Sequence, residues 1–229
     1  MNCGFVRLVS FTQPAAGGDS ADWSGDLEVV RNARVSYDAA WRAGEDDGKD
    51  EKLIGYLLKN GHTSPFESID FTFEVKAPIL VLRQWHRHRT WSYNEVSARY
   101  SALPADFYVP EPKHVTTQSR DNKQMRTDTP HEQAEAISTE IAVMCAMAHG
   151  QYQRLINMGC PRELARGVLP VNTYSHMFAK VDLHNLFHFL AIRLHEHAQY
   201  EIRVYAQAMI ELIEPIVPFS VAAFKRGLK

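Results

Sequence analysis

The sequence predicts an α+β fold: a single domain over 1–229, with a mainly antiparallel sheet flanked by long helices, and not a Rossmann fold. Three observations carry that expectation. Ile69, Phe71, Phe73 and Val75 alternate with Asp70, Thr72 and Glu74, the period of a half-buried strand. Helical periodicity recurs at length, above all from about His131 to Met158. No GxGxxG run follows any strand-like stretch, so the phosphate-binding turn of a parallel dinucleotide fold is missing. No repeat and no internal linker divides the chain.

Element by element, Cys3 to Gln13 alternates loosely through Phe5, Leu8 and Val9 and reads as a first strand, followed by a polar, Gly-rich stretch from Pro14 to Asp19. Leu27, Val30, Ala33 and Val35 then mark a helix with Ser24 as its cap. A second helix reads from Glu51 to Asn60, with Gly61 in the stop position. Pro78 ends the strand of the 69–75 alternation, and Ile79 to about His88 reads as a helix. Thr90 to Ser101 is polar and irregular, and Asp121 to His131 reads as a mobile loop without apolar anchors. Gly159 closes the long helix, and Pro161 suits the first position of a short helix reaching about Leu169. A strand from Tyr174 to Val181 precedes helices over about Asp182–Leu194 and His197–Ile213, and a short helix closes the chain near Phe219–Lys225.

Composition narrows the class of function. A formal charge of −2 argues against a general nucleic-acid binder, which carries a basic excess. No apolar run reaches the roughly 18 to 20 residues that span a bilayer, and Met1 to Gln13 lacks the pattern of a secretory signal. Cys3, Cys145 and Cys160 stand far apart with no CxxC pair, so neither a disulfide framework nor a thiolate zinc site is indicated. The expectation is a cytoplasmic enzyme with no membrane or nucleic-acid partner.

The densest chemistry lies between Arg87 and Tyr100, which brings together Arg87, His88, Arg89, Asn94, Glu95, Ser97 and Arg99. Arginine forks suit phosphate and stay charged at any physiological pH. Gln84, Asn94 and Glu95 have the donors and acceptors to read the edge of a base. Composition alone leaves open a solvated basic loop. Arg193 borders the apolar stripe of its helix, formed by Leu183, Leu186, Phe187, Leu190 and Leu194, at roughly 100° per residue. A cation beside a core needs a partner, either an internal carboxylate or an anionic or polar ligand. Arg162 and Arg166 share a helix face, and Glu163 is available to either. Of eleven histidines, His86/His88 and His195/His197 are spaced to diverge on a helix. His184 and His188 share a face but lack the glutamate of HExxH, so no metal is expected.

The order Arg-His-Arg, then Ser-x-Asn-Glu-x-Ser-x-Arg-Tyr, from Arg87 to Tyr100, resembles the signature of the flavin-dependent thymidylate synthases. Gly61-His62-Thr63-Ser64-Pro65-Phe66-Glu67 is similar to that family's flavin-contacting turn. Pro161 to Arg166 and Asn185 to Leu190, followed by Arg193, are similar to its second half. The likeness covers roughly 28 to 210.

The resemblance implies an enzyme that methylates dUMP to dTMP with FAD. Its carbon donor would be 5,10-methylenetetrahydrofolate and its reductant NADPH, in a homotetramer with sites between subunits. It implies that dUMP is bound by Gln84, Trp85, His86, Arg87, Glu95, Val96, Ser97, Ala98, Arg99, Arg166 and Arg193. Arg193 is then the catalytic group, set against the uracil, while Arg162 is structural. FAD is assigned to His62, Ser64, Glu67, Arg87, His88, Arg89, Glu95, Asp182, His184 and His188. Relatives often carry asparagine and arginine where this chain has Asp182 and His184, and Asp182 reads as the cap of its helix. No cysteine has the cationic setting of a nucleophile, and Ser97, with no adjacent base, reads as a substrate contact. The competing reading is a non-catalytic nucleotide- or RNA-binding protein that uses Arg87 to Arg99 as an anion pocket.

Overall fold

A computed structural model of the chain describes residues 3–13, 24–45 and 47–228. The stretch Pro14 to Asp19 lies outside the described residues. In chain order the strands are β1 (Phe5–Phe11), β2 (Asp70–Pro78), β3 (Ser92–Glu95), β4 (Thr116–Gln118), β5 (Arg126–Pro130) and β6 (Tyr174–Asp182). The helices are α1 (Gly25–Arg34), α2 (Asp47–Lys59), α3 (Ile79–Trp85), α4 (Ala134–Asn157), α5 (Arg162–Ala165), α6 (Leu183–Arg193), α7 (Tyr200–Ile213) and α8 (Pro218–Gly227). One sheet has the order β1-β2-β6-β3, and β4 with β5 forms a separate two-stranded ribbon. Ile69 O accepts from Leu183 N, and Thr173 O accepts from Ile79 N. Rising numbers in β2 meet falling numbers in β6, the antiparallel arrangement. The α+β expectation, with an antiparallel sheet in place of a Rossmann unit, is met.

The alternation in β2 does what its period predicts. Ile69, Phe71, Phe73, Val75 and Ala77 are fully buried. The opposite face is held by charge: Asp70 pairs with Lys180 at 2.9 Å, Glu74 with Arg7, and Lys76 with Asp106 at 2.6 Å. Glu74 is thereby buried as an ion pair.

The described chain clusters into two compact units, each assembled from three stretches. The first comprises Met1–Phe5, Val75–Arg87 and Asn94–Met177; the second comprises Val6–Glu74, His88–Tyr93 and Phe178–Lys229. In the first, α4 packs on α5 and buries only Cys145 and Tyr152. Cys145 is a core thiol, its pKa pushed up by burial. In the second, α2 packs on α8 and α6 on α7, and Phe187 stacks on Phe224 at 4.5 Å.

Caps and stops follow their predicted chemistry. Ser24 Oγ accepts from Leu27 N at the start of α1. Gly61 and Gly159 take the left-handed conformation after α2 and α4, at φ 69° and 83°, which glycine adopts without a Cβ penalty. Asp26 is buried, and its carboxylate accepts from Phe219 N (2.7 Å), Ser220 N (3.0 Å) and Ser220 Oγ (2.5 Å) at the first turn of α8. Asp26→Ala strands those donors and is expected to cost about 2 to 4 kcal/mol. A lowered urea midpoint at unchanged slope would register it; an unchanged midpoint would discard this account of α8.

Four boundaries depart from expectation. α3 ends at Trp85, not near His88, because the chain turns at His86 and Arg87. Ser92 to Glu95, read as irregular, is β3, recruited by pairing such as Val96 N to His176 O at 2.8 Å. Asp121 to His131, read as a mobile loop, contains β5. There the Thr117 and Thr127 hydroxyls meet at 2.6 Å, and Gln118 Nε2 donates to the Lys123 and Met125 carbonyls. Pro161 sits at the cap of α5, not inside it.

Candidate active site

In the second unit, the flavin-assigned turn forms because Pro65 starts a 3₁₀ turn over Ser64–Ser68. Buried Phe66 anchors that turn against Phe187 at 6.4 Å. This leaves His62, Ser64 and Glu67 exposed. Asp182 caps α6: Oδ1 accepts from Asn185 N at 2.8 Å and Oδ2 from Asn185 Nδ2 at 2.6 Å. Its negative charge is thus committed to the helix start, where the dipole favours it. His184 is half-buried and His188 exposed, one turn apart on α6.

Arg193 lies in the last turn of α6, the end at which a cation complements the dipole. Its Nε donates to His88 Nε2 at 3.1 Å. His88 is buried, with its ring edge-on to Phe189 at 4.9 Å and to His188 at 6.0 Å. Burial, then the charges of Arg193 and His188, lower its pKa to about 4. Tyr93 Oη donates to the His88 carbonyl at 2.9 Å. Trp91 is buried between Phe189 (5.2 Å) and Tyr93 (6.2 Å).

In the first unit, Gln84 and His86 are half-buried at the end of α3, Trp85 is fully buried, and Arg87 is exposed. Trp85 therefore shapes this corner as core. Glu95 accepts from Ser175 Oγ at 2.5 Å, so β6 fixes its carboxyl. After β3 the chain turns: Ser97 Oγ accepts from Arg99 N at 3.3 Å, Val96 is exposed and Ala98 is buried. The Arg99 guanidinium meets the Glu163 carboxylate at 3.4 Å, and Arg166 Nε donates to the Glu163 carbonyl at 3.4 Å. Arg99 and Arg166 thus both contact Glu163, the first at its carboxylate and the second at its backbone carbonyl, and Ser97 is tied to the Arg99 backbone. Ser175 and Glu163 were missed as functional supports, since neither stands in the Arg87 to Tyr100 run.

Arg89 in the second unit is exposed, as is Arg87 in the first. The flavin-assigned residues of the second unit fit a cofactor with an anionic diphosphate. They offer an arginine, histidines and a serine; of their two carboxylates, Asp182 is absorbed by its cap and Glu67 is exposed. Among the described residues, no group of three or more His, Cys, Asp or Glu is arranged to hold a metal ion, and no helix is long and apolar enough to cross a membrane.

Comparison with known proteins bears on this arrangement. Residues 21–219 match the family model described as thymidylate synthase complementing protein. The flavin-dependent thymidylate synthase of Treponema denticola is 44% identical over 228 residues, covering 99% of this chain and 80% of the relative. That of Ehrlichia ruminantium, strain Gardel, is 43% identical over 222 residues, covering 96% and 70%. The crystal structure of the UMP/dUMP methylase PolB from Streptomyces cacaoi, bound with 5-Br dUMP, superposes with a TM-score of 0.85. It shares 35% identity and covers 97% of this chain and 95% of that one. The site and these likenesses define a methyltransferase enzyme. This chain belongs to the flavin-dependent thymidylate synthase family.

Proposed function

We propose that the chain carries out the reductive methylation of dUMP to dTMP, with 5,10-methylenetetrahydrofolate as carbon donor and NADPH as reductant. The observation that carries the reading is the contact of both Arg99 and Arg166 with Glu163, with Ser97 Oγ tied to the Arg99 backbone. Two guanidiniums and a hydroxyl suit a phosphate dianion, and Glu163 stands where that anion would draw Arg99 away. Gln84, His86, Arg87, Glu95 and the 96–98 backbone complete the dUMP set.

FAD is the resident cofactor, held by His62, Ser64, Glu67, Arg87, His88, Arg89, Glu95, Asp182, His184 and His188. When bound and reduced by NADPH, it supplies the hydride that completes the methyl group. The protein's share is positioning and electrostatics. Arg193 donates to the uracil and stabilises negative charge as C5 becomes nucleophilic; C5 gains the one-carbon unit and gives up its proton.

The enzyme works as a homotetramer with sites between subunits. Support comes from α4, which leaves Val143, Met144 and Met147 exposed on an apolar face. The cytoplasm is its compartment, in keeping with the free cysteines Cys3, Cys145 and Cys160. Neither nucleic acid nor membrane is a partner.

Tritium release from [5-³H]dUMP, with FAD, NADPH and methylenetetrahydrofolate each omitted in turn, tests the reading; UMP runs beside it because PolB is a UMP/dUMP methylase. Release that needs all three supports it. Folded, flavin-loaded protein that binds dUMP and releases nothing would leave a non-catalytic nucleotide binder. Arg99→Ala and Arg166→Ala are each expected to raise KM for dUMP roughly 10- to 100-fold, the worth of one charge-assisted contact. Flavin content should not change, and an unaltered KM in both would remove the phosphate assignment.

A further inference from the structure

We propose that His88 is the positioning residue for Arg193: its imidazole Nε2 accepts the Nε–H of Arg193 and fixes the plane in which the guanidinium meets the uracil. This rests on the reading above, in which Arg193 is the group that touches the substrate.

A guanidinium has N–H donors and no acceptor, so at 3.1 Å the acceptor is His88 Nε2 and the imidazole proton sits on Nδ1. A protonated imidazole has no lone pair left for the contact, and the burial of His88 keeps it neutral across the physiological range. An in-plane acceptor on Nε restrains rotation about the Cδ–Nε bond, the torsion that swings the two terminal amino groups. The His88 contact itself uses neither of them. Being neutral, it restrains the arginine without adding charge of either sign.

His88 is itself held firmly enough to do this. Its ring stands edge-on to Phe189, a fully buried residue of the same helix that carries Arg193. Its backbone carbonyl is tied by the Tyr93 hydroxyl, and Trp91 packs on the same Phe189. Arginine and histidine thus reference one helix, although they stand far apart in the sequence. In this arrangement the His88 ring serves the cofactor-binding segment from within the second unit, while the neighbouring Arg87 and Arg89 are exposed.

Two variants separate acceptor from packing. His88→Phe keeps an aromatic ring against Phe189 and removes the acceptor; His88→Gln restores an acceptor oxygen near the reach of Nε2. With flavin content and assembly matched to wild type, His88→Phe is expected to lose roughly 10- to 100-fold in both kcat and kcat/KM for dUMP, as a misplaced catalytic group does. His88→Gln is expected to recover to within about fivefold of wild type. A Phe variant as active as wild type, or a Gln variant as impaired as Phe, overturns the proposal.

A thermal-denaturation cycle of His88→Phe, Arg193→Met and the double variant reads the contact apart from any turnover. Shifts short of additive support it, and additive shifts overturn it. A wild-type protein that binds flavin and forms no dTMP would remove the functional reading and the uracil-positioning role with it, while the cycle still decides whether His88 and Arg193 are coupled.

Discussion

Arg193→Ala is expected to lower tritium release from [5-³H]dUMP by roughly 100- to 1000-fold, the usual effect of deleting a preorganised donor to developing charge. The position explains the size. Arg193 sits in the last turn of α6, whose buried Leu183, Leu186, Phe187, Phe189 and Leu190 fix the helix. Its Nε is held by His88 at 3.1 Å. Such a group is already oriented before substrate arrives, so its contribution falls on the transition state and kcat drops with kcat/KM. Arg193→Lys keeps the charge and loses the fork, and is expected to recover little. Bound flavin and thermal stability within a few degrees of wild type are needed to read the result as chemistry. Full activity in the alanine variant would take Arg193 out of the catalytic role.

The second large effect is on acid stability. His88 has its pKa lowered from 6.5 to about 4, first by burial and then by Arg193 and His188. Between those two pH values the unfolded chain binds the proton and the folded chain does not. Stability therefore rises with pH through that window and is lost on acidification from about 6.5 towards 4. The shift corresponds to at most about 3 kcal/mol. Urea midpoints measured from pH 7 to 4.5 should fall for wild type and flatten for His88→Gln, which has no proton to gain. Parallel slopes in the two proteins would assign the acid sensitivity to other groups.

Much of the fold was legible because local chemistry and tertiary burial agree. The period-two alternation of β2, the caps Ser24 and Asp182, and the stops Gly61 and Gly159 are decisions made within a few residues of chain. β3 was not legible. Ser92, Asn94 and Glu95 are exposed and only Tyr93 is half-buried, so no alternation betrays a strand that exists because β6 offers it partners. The β4–β5 ribbon hides for the same reason, its strands short and polar and their antiparallel pairing supplemented by Thr and Gln side chains.

At the site, the run from Arg87 to Tyr100 announced itself by residue order. What supports it came from afar: Ser175 on Glu95, Glu163 on Arg99, and Arg193 on His88. Pairings across such separations leave no periodic trace. The same distance explains Trp85, assigned to dUMP by the family resemblance and buried in the structure.

Helix α4 changes what counts as a surface mutation. Its 24 residues bury only Cys145 and Tyr152 within one chain, while Val143, Met144 and Met147 face outward. In the tetramer proposed above those methionines and that valine would be covered by another subunit. Polar replacements there, harmless by the accounting of a single subunit, would act as core lesions multiplied by symmetry, and their severity would fade only as protein concentration rises.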